Sequence, residues 1–446
     1  MEKEDKLREL ISDALTAATK LGASAAEAVV SSAEGFSVDV RLGEVETVEQ
    51  HCDRGLAITV YFGQRSGTAS TSDFRPETLN LTVEKAGYIA RYTEEDPAVG
   101  LADAKLMAYD YQELALCHPW EITVDEAIKL GKECEAAGLR CDPKITNSEG
   151  TNVSTASSMV GYGNTHGFTG FCPSTMHSIS CALIAAQHAD MQRDYDFTAA
   201  RSPDDLMAAT TIGQNAAQKT VARLDAKHLT TRKIPVIFDP QMARSLIGDF
   251  IDAVSGRSLY NRTTFLVDSL GKKIFPDHLT IAERPHLLQA LGSSAFDAEG
   301  VRTSDRYLVD QGVLQGYVLN SYAARKLKMA TTANAGGIHN LMVSSKYNYS
   351  LPDLLKLMGT GLMVTELLGQ GVNLITGDYS RGAFGFWVEN GVIQYPVEGI
   401  TIAGNLRDLF LGISAVANDV DERGTIRVGS ILIDNMTIAG GGKSNE

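Results

Sequence analysis

The sequence predicts an α+β protein in two domains, a helix-flanked sheet over residues 1–225 and an antiparallel, strand-rich unit over residues 226–446. Three observations lead there. Apolar residues switch along the chain between helical spacing and strict alternation. The strand-like runs are joined by short turns and not by regular helical crossovers, which favours antiparallel pairing over a doubly wound sheet. The length of 446 residues, with 44% apolar and 21% charged residues, suits two domains and buries a large core without disulfide staples.

Leu7, Leu10, Ile11, Ala14, Leu15, Ala18 and Leu21 recur at helical spacing, and Gly22 follows as a stop. Phe36, Val38, Val40 and Leu42 then alternate with Ser37, Asp39 and Arg41, as a half-buried strand does, and Leu56, Ile58, Val60 and Phe62 repeat the pattern. Residues 63–67 turn the chain into a further strand ending near Phe74, and Pro76 opens a helix with Leu79, Val83, Ala86 and Ile89 inward. This order predicts a sheet with helices on one face. Thr123 and Glu126 have the spacing of a capping box ahead of Ala127, Ile128 and Cys134. Ser/Thr-rich strands are expected from about 151 to 186. Ser202 as N-cap and Pro203 as first helical residue open a helix expected to run to about Leu224. The polar stretch 225–232 holds the domain boundary.

In the second half, 234–238 is a short apolar strand. Asp239 then caps a helix with Pro240 at its first position, with Met242, Leu246, Ile247, Phe250, Ile251 and Val254 inward and a stop at Gly256. Residues 384–397 form a hairpin, because Asn390 and Gly391 accept the positive φ angles of a two-residue turn. A helix is expected from Gly404 to about Ala417, a late strand over 425–433 and a mobile tail over 440–446.

The net charge of −15, with 55 acidic against 40 basic residues and no run of five Lys/Arg, argues against nucleic acid as a direct partner. No stretch reaches 18 apolar residues and the start lacks the apolar core of a signal peptide, so a cytoplasmic chain without membrane spans is expected. The six cysteines, all within the first 181 residues and none as C-x-x-C, are expected to be reduced.

The sequence carries few motifs for chemistry. A zinc site on one helix needs two histidines four or so residues apart, and no two of the nine histidines lie within five residues. There is no G-x-S-x-G elbow; the run from Gly377 to Gly382 has the wrong spacing and is expected to be a glycine-bounded turn. The run Gly440 to Ser444 is no phosphate loop, since Thr437 stands where the first glycine belongs. The run from Gly161 to Gly167 has one residue too many for a dinucleotide fingerprint and is expected to be a strand turn. Two glycine-rich segments stand out, 334–340 with Gly336, Gly337 and His339, and 377–385 with Asp378 and Arg381. Glycine suits close approach of backbone to another backbone or to a peptide adding to a strand edge, and it also suits plain turns.

The second half resembles the PmbA/TldD family. The resemblance is carried by the run from Ile375 to Gly391, by Tyr395, Pro396 and Val397 and by the run from Ile400 to Leu406. The runs 258–260, 264–266, 268–271, 296–302, 335–340 and 358–362 resemble the PmbA (TldE) branch, and the likeness extends more weakly over the first half. What the resemblance implies is a PmbA/TldD-like fold and one subunit of a cytoplasmic TldD–TldE zinc metalloprotease acting on flexible or unfolded peptides. In the family the zinc sits in the TldD subunit, on a His-Glu-x-x-x-His helix with a later cysteine. The matching helix here runs from Arg244 to Asp252, has Asp249 and Asp252 as its only acids and no histidine, and no cysteine follows Cys181. The resemblance therefore implies a chain without catalytic residues or a cofactor of its own, a TldD-like partner bearing the zinc, and a peptide-handling or partner-facing role for Gly336, Gly337, His339, Asp378 and Arg381. A homodimer is expected when the chain is isolated. Two alternatives stay open: a hydrolase using Asp249, Asp252, His339 and Asp378, and a regulatory binding protein of the gyrase-modulator type without protease function.

Overall fold

The computed structural model describes residues 2–440; of the tail expected at 440–446, all but Gly440 lies outside the described residues. The first half runs α1 (Glu2–Lys20), β1 (Ala25–Arg41), β2 (Glu44–Phe62), β3 (Arg65–Thr71), α2 (Pro76–Tyr92), α3 (Val124–Leu139), β4 (Ile145–Asn164), β5 (Thr169–Gln187), β6 (Asp190–Ala200) and α4 (Ala209–Ala222). Its strands form one antiparallel sheet in the order β3-β2-β1-β4-β5-β6. β1 and β2 are far longer than the alternating runs at 36–42 and 56–62 announced, at 17 and 19 residues. Polar and small residues such as Ser31, Ser32 and Gly35 break the apolar pattern, but main-chain pairing carries the strand through them: Gly35 pairs with His51 on one side and Ala156 on the other.

Side chains alternate along β1, so Ala26, Ala28, Val30, Val38 and Val40 share a face. The first three pack with Leu7, Ile11 and Ala14 of α1 and Leu79, Val83 and Ala86 of α2. The last two pack with Ala127 and Cys134 of α3 and Ile212 and Ala216 of α4. One face of the sheet thus carries two helix pairs, one towards each end. The capping box of α3 forms as expected, with Thr123 and Glu126 each bonding the other's backbone N–H. Ile89 of α2 is exposed, and Ala90, one turn beyond Ala86, continues the buried stripe. The helix expected from Ser202 is interrupted. Ser202 caps a single 3-10 turn, Pro203–Asp205, and α4 starts only at Ala209. The Met207 N–H donates to Thr198 Oγ1 at 3.1 Å, which holds the linker out of helical register.

The second half runs β7 (Arg232–Phe238), α5 (Pro240–Ala253), α6 (Gly256–Tyr260), β8 (Leu279–Glu283), β9 (Arg306–Asp310), β10 (Val313–Leu314), α7 (Ser321–Leu327), β11 (Leu341–Ser345), α8 (Leu351–Met358), β12 (Gly361–Leu368), β13 (Val372–Asn373), β14 (Asp378–Glu389), β15 (Val392–Asn405), α9 (Leu406–Leu411), β16 (Ile413–Val416), β17 (Ile426–Arg427) and β18 (Ile431–Gly440). A small sheet has the order β10-β9-β8-β11-β17, and a larger one β12-β7-β18-β15-β14-β13 with β16 against β18. β12 also pairs with β14, so β12, β7, β18, β15 and β14 close into a ring. Two pairings, β7 with β12 and β11 with β17, are parallel and the rest antiparallel. The hairpin turns at Asn390 (φ +51°) and Gly391 (φ +74°) as expected.

Three expectations need correction. The helix from Gly404 is only α9, because Ile413, Ala415 and Val416 pair with β18 instead. The strand over 425–433 is split into β17 and the start of β18, with the Asp419 carboxylate accepting from Ser430 N and Oγ at 2.8 and 2.7 Å between them. Gly256 does not terminate α5 but opens α6 under a Ser255 cap. The two halves meet on the face of the first sheet opposite its helices, where Tyr162 and Phe168 pack with Phe296 and Val301.

The α3–α4 contact is set by glycine: a Cβ on Gly213 would stand 2.0 Å from the Cys134 carbonyl oxygen, whereas one on Gly248 of α5 would meet nothing within 4 Å. Gly213→Ala should therefore destabilise the chain by about 1–3 kcal/mol through overpacking. Gly248→Ala should stabilise it by about 0.5–1 kcal/mol through helix propensity. Urea unfolding of both variants checks this pair of opposite signs.

Candidate functional site

β7 delivers the chain to α5 from inside the ring. Asp239 caps the helix by accepting from Met242 N at 2.8 Å, and Pro240 fixes the first turn. Leu246, Ile247 and Phe250 bury one face in the core. The opposite face carries Arg244, Ser245, Asp249 and Asp252. The side chains of 379 and 381 on β14 point to one side, towards α5. Arg381 Nη1 donates to Ser245 Oγ at 2.9 Å. Burial pushes the Asp249 carboxyl up to about 6, with the Arg381 charge opposing the shift and Asp252 adding to it. Burial also raises Asp252 and the Tyr379 phenol. Among the described residues, Asp249 Oδ2, Tyr379 OH and Arg381 Nε are buried without a hydrogen-bond partner in this one cluster.

The flagged residues fall in three places. Arg381, Asp249 and Asp252 belong to the cluster between α5 and β14. Asp378 is exposed at the start of β14, where Thr376 Oγ1 donates to it at 2.6 Å and Asn405 Nδ2 at 3.3 Å. Gly336 and Gly337 form a turn with φ +93° and +122°, conformations that only glycine adopts without strain. That loop is fastened to β8. Buried Glu283 accepts from His339 N at 2.7 Å, Asn334 Nδ2 at 2.8 Å and Arg306 Nε at 2.6 Å. The His339 ring bonds the Ala333 carbonyl through Nε2 at 2.9 Å, and Ala335 N donates to buried Asp297 at 3.0 Å. The second glycine segment is not a turn beyond Gly377 (φ +84°), since Asp378 to Gly385 lie within β14. β14 has strand neighbours on both sides there, so its glycines serve backbone packing: a Cβ on Gly385 would stand 2.1 Å from the Met363 carbonyl oxygen.

Sequence reading missed Tyr379, which shares Arg381's face by the period of two, and Glu283, whose signal is an acid closing the apolar strand Leu279–Glu283. It also missed the cleft between the halves. A cavity of about 490 Å³ opens beyond the carboxyl ends of the parallel strands β7 and β12, lined by Arg193, Lys219 and Arg223 from the first half and Asp239, Glu366 and Phe386 from the second. Such a position is a habitual binding place in sheets with parallel strands. Arg223 bridges the halves, pairing with Asp194 at 3.2 Å and Glu366 at 2.5 Å and lying 3.7 Å from the Phe384 ring centre. Burial pushes the Asp239 carboxyl up to about 6.

A zinc ion requires several imidazole, thiolate or carboxylate donors converging at about 2.0–2.3 Å. Among the described residues no three His, Cys, Asp or Glu side chains converge. On α5 the donor set is a hydroxyl and two carboxyls, with a guanidinium already bonded to the hydroxyl. A fixed positive charge there opposes a dication, so these residues do not fit zinc.

Asp249 gives a testable pH dependence. Its proton is held up to about pH 6 in the folded chain, against an ordinary value of 3.8. Between those values the folded state binds more protons than the unfolded one, so this group's contribution to stability falls as pH rises from about 4 to 6. Asp249→Asn removes that loss. The variant should gain stability over the parent chain by on the order of 2 kcal/mol between pH 4 and pH 7, read from denaturant midpoints across pH.

Three family profiles match the chain: PmbA/TldA metallopeptidase domain 1 over residues 26–90, the central domain over 117–224 and the C-terminal domain over 231–440. The chain is 47% identical over 438 residues to the protein named metalloprotease PmbA homolog of Haemophilus influenzae, covering 98% of this chain and 97% of that one. It is 48% identical over 437 residues to metalloprotease PmbA of Escherichia coli O157:H7, covering 97% of each. Among solved structures, it matches a protein from Bacteroides thetaiotaomicron, named as a candidate modulator of DNA gyrase, with a TM-score of 0.92 and 27% identity over 97% of this chain and 98% of that one. It matches TldE from Thermococcus kodakarensis with a TM-score of 0.85 at 21% identity, over 97% of this chain and 100% of that one, a likeness of fold.

Proposed function

The chain belongs to the PmbA/TldA (PmbA/TldD) metallopeptidase family, and from that premise we propose that it is the TldE-type subunit of a two-subunit zinc metalloprotease that cleaves flexible or unfolded peptides. In this reading the chain holds no zinc and supplies no catalytic group. A TldD-like partner bears the zinc, the chain works in the cytoplasm, and it forms a homodimer when isolated. Its division into 1–225 and 226–446 is part of the same proposal, with the cleft between the halves as the path of the peptide and Gly336, Gly337, His339, Asp378 and Arg381 on the partner-facing or peptide-handling side. Among the described residues no helix is long and apolar enough to cross a membrane, which is consistent with this reading.

The observation that supports the reading most is the polar face of α5. A hydrolytic zinc site activates water through a bound dication. Here the corresponding face has a guanidinium bonded to Ser245 and a carboxyl, Asp249, whose burial favours its neutral form. Neither group draws in a metal. The expected outcome is that flexible peptides are cleaved only when the chain is combined with a zinc-bearing relative. Alanine at both Asp249 and Asp252 should leave that cleavage in place. Chelator-sensitive cleavage by this chain alone, lost on those two substitutions, would overturn the proposal. A pull-down that recovers a topoisomerase and no peptidase subunit would favour instead the regulatory reading, which the gyrase-modulator name of the Bacteroides thetaiotaomicron protein suggests.

A further inference from the structure

A second cleft, of about 600 Å³, opens where the end of β6 meets residues 288–291 and the 422–427 turn. Arg201 lines it from the end of β6, and Arg423 and Arg427 from the 422–427 segment. They are not equivalent. Arg423 is neutralised by Asp421 at 2.9 Å and Asp196 at 3.3 Å and lies 4.3 Å from the Phe197 ring centre. Arg201 donates only to neutral acceptors, the Thr175 carbonyl at 2.9 Å and the Leu291 carbonyl at 3.0 Å. Among the described residues no carboxylate stands within ion-pair distance of it. Arg427 is the more extreme case. Its side chain is 14% exposed, its guanidinium makes no hydrogen bond among the described residues, and its one ionic contact is Glu422 at 3.8 Å, which is itself 70% exposed. The Nε atoms of Arg201 and Arg427 are both buried without a partner among the described residues.

A guanidinium carries five donors, and a buried Nε–H left without an acceptor costs free energy. The chain's net charge is −15, so two under-neutralised arginines facing one cavity do not follow from its general composition. The cleft also has an apolar flank: Met207 and Leu288, 38% and 69% exposed, stand in its wall. Asp205 and Glu422 lie in the same lining. Those acids repel a polyanion such as a nucleic acid but tolerate a single planar anion that the arginine forks grip.

We propose that this cleft binds a carboxylate carried on a peptide, with Arg427 as the principal charge, Arg201 as the second, and Met207 and Leu288 receiving a neighbouring apolar side chain. A planar carboxylate matches the guanidinium fork, whether it is a peptide C-terminus or an Asp or Glu side chain. The inference rests on the peptide-handling reading above and adds a preference that reading does not contain.

The test is calorimetric titration of the full chain with short Leu-containing peptides in three forms: free C-terminal acid, C-terminal amide, and amide with one internal Glu. Either acid-bearing form should bind at least about tenfold more tightly than the plain amide, with affinity falling as salt rises. Arg427→Gln should remove most of that preference, and Arg427→Lys, which keeps the charge but not the fork, should retain part of it. Equal binding of acid and amide, no binding of the acid forms, undiminished binding by Arg427→Gln, or inorganic phosphate binding as tightly as the acid peptides would each overturn the proposal. If thermal melting shows Arg427→Gln to be unfolded, the acid-to-amide ratio of the parent chain and Arg201→Met decide. Cleavage by the assembled pair that ignores acid, amide and Arg427 alike sinks this inference and leaves the subunit reading standing. Absence of cleavage with any zinc-bearing relative sinks the subunit reading but not an acid-dependent binding isotherm.

Discussion

The double pairing of β12, parallel to β7 and antiparallel to β14, is the constraint on which the second half depends. It closes the ring and places β14 where Arg381 reaches Ser245 of α5. It also sets the carboxyl ends of β7 and β12 side by side at the mouth of the cleft. The closure demands close approach of main chains, which is why Gly385 stands opposite Met363 and Val364. Any side chain there would force β12 and β14 apart.

From that ring an ionic chain reaches into the first half. Arg244 of α5 pairs with Asp421 at 2.9 Å, Asp421 with Arg423, Arg423 with Asp196 of β6, and Asp196 with Lys219 of α4 at 2.9 Å. Arg223 and Glu366 make a separate bridge. Partly buried pairs of this kind add little net stability once desolvation is counted, but breaking one partner leaves a stranded charge. Their effect is to fix how the halves are oriented, while the apolar contact of Tyr162 and Phe168 with Phe296 supplies the driving force for the halves to meet. The two clefts along β6 inherit their shape from that orientation.

How much of this was legible in the sequence depended on whether the signal was local. The caps at Thr123 and Asp239, the Asn390–Gly391 turn and the apolar stripe of α1 depend on residues a few positions apart, and each formed where it was expected. The lengths of β1 and β2 did not show, because a strand paired on both sides tolerates serines and glycine that erase the apolar alternation. Residues 413–416 were read as helix because Ile413, Ala415 and Val416 suit either element until β18 supplies a partner. The site followed the same division. The missing histidines on α5 were visible at once. That Arg381 lies across Ser245, or that Glu283 anchors His339, depends on residues 136 and 56 positions apart and could not be read from spacing. The arginines of the second cleft, 201 and 427, are far apart in sequence and share a cleft only because the end of β6 lies beside the 422–427 segment.

The central claim is that this chain handles peptide while the metal chemistry belongs to another subunit, and elemental analysis tests it most directly. Zinc content per chain is measured on the purified protein alone, after equilibration with excess zinc and removal of the free ion, and on the protein purified together with a zinc-bearing family member. The account predicts far less than one zinc per chain for the protein alone and about one per pair for the complex. One tightly held zinc per chain in the isolated protein, lost together with its own peptide cleavage on chelation, would contradict it.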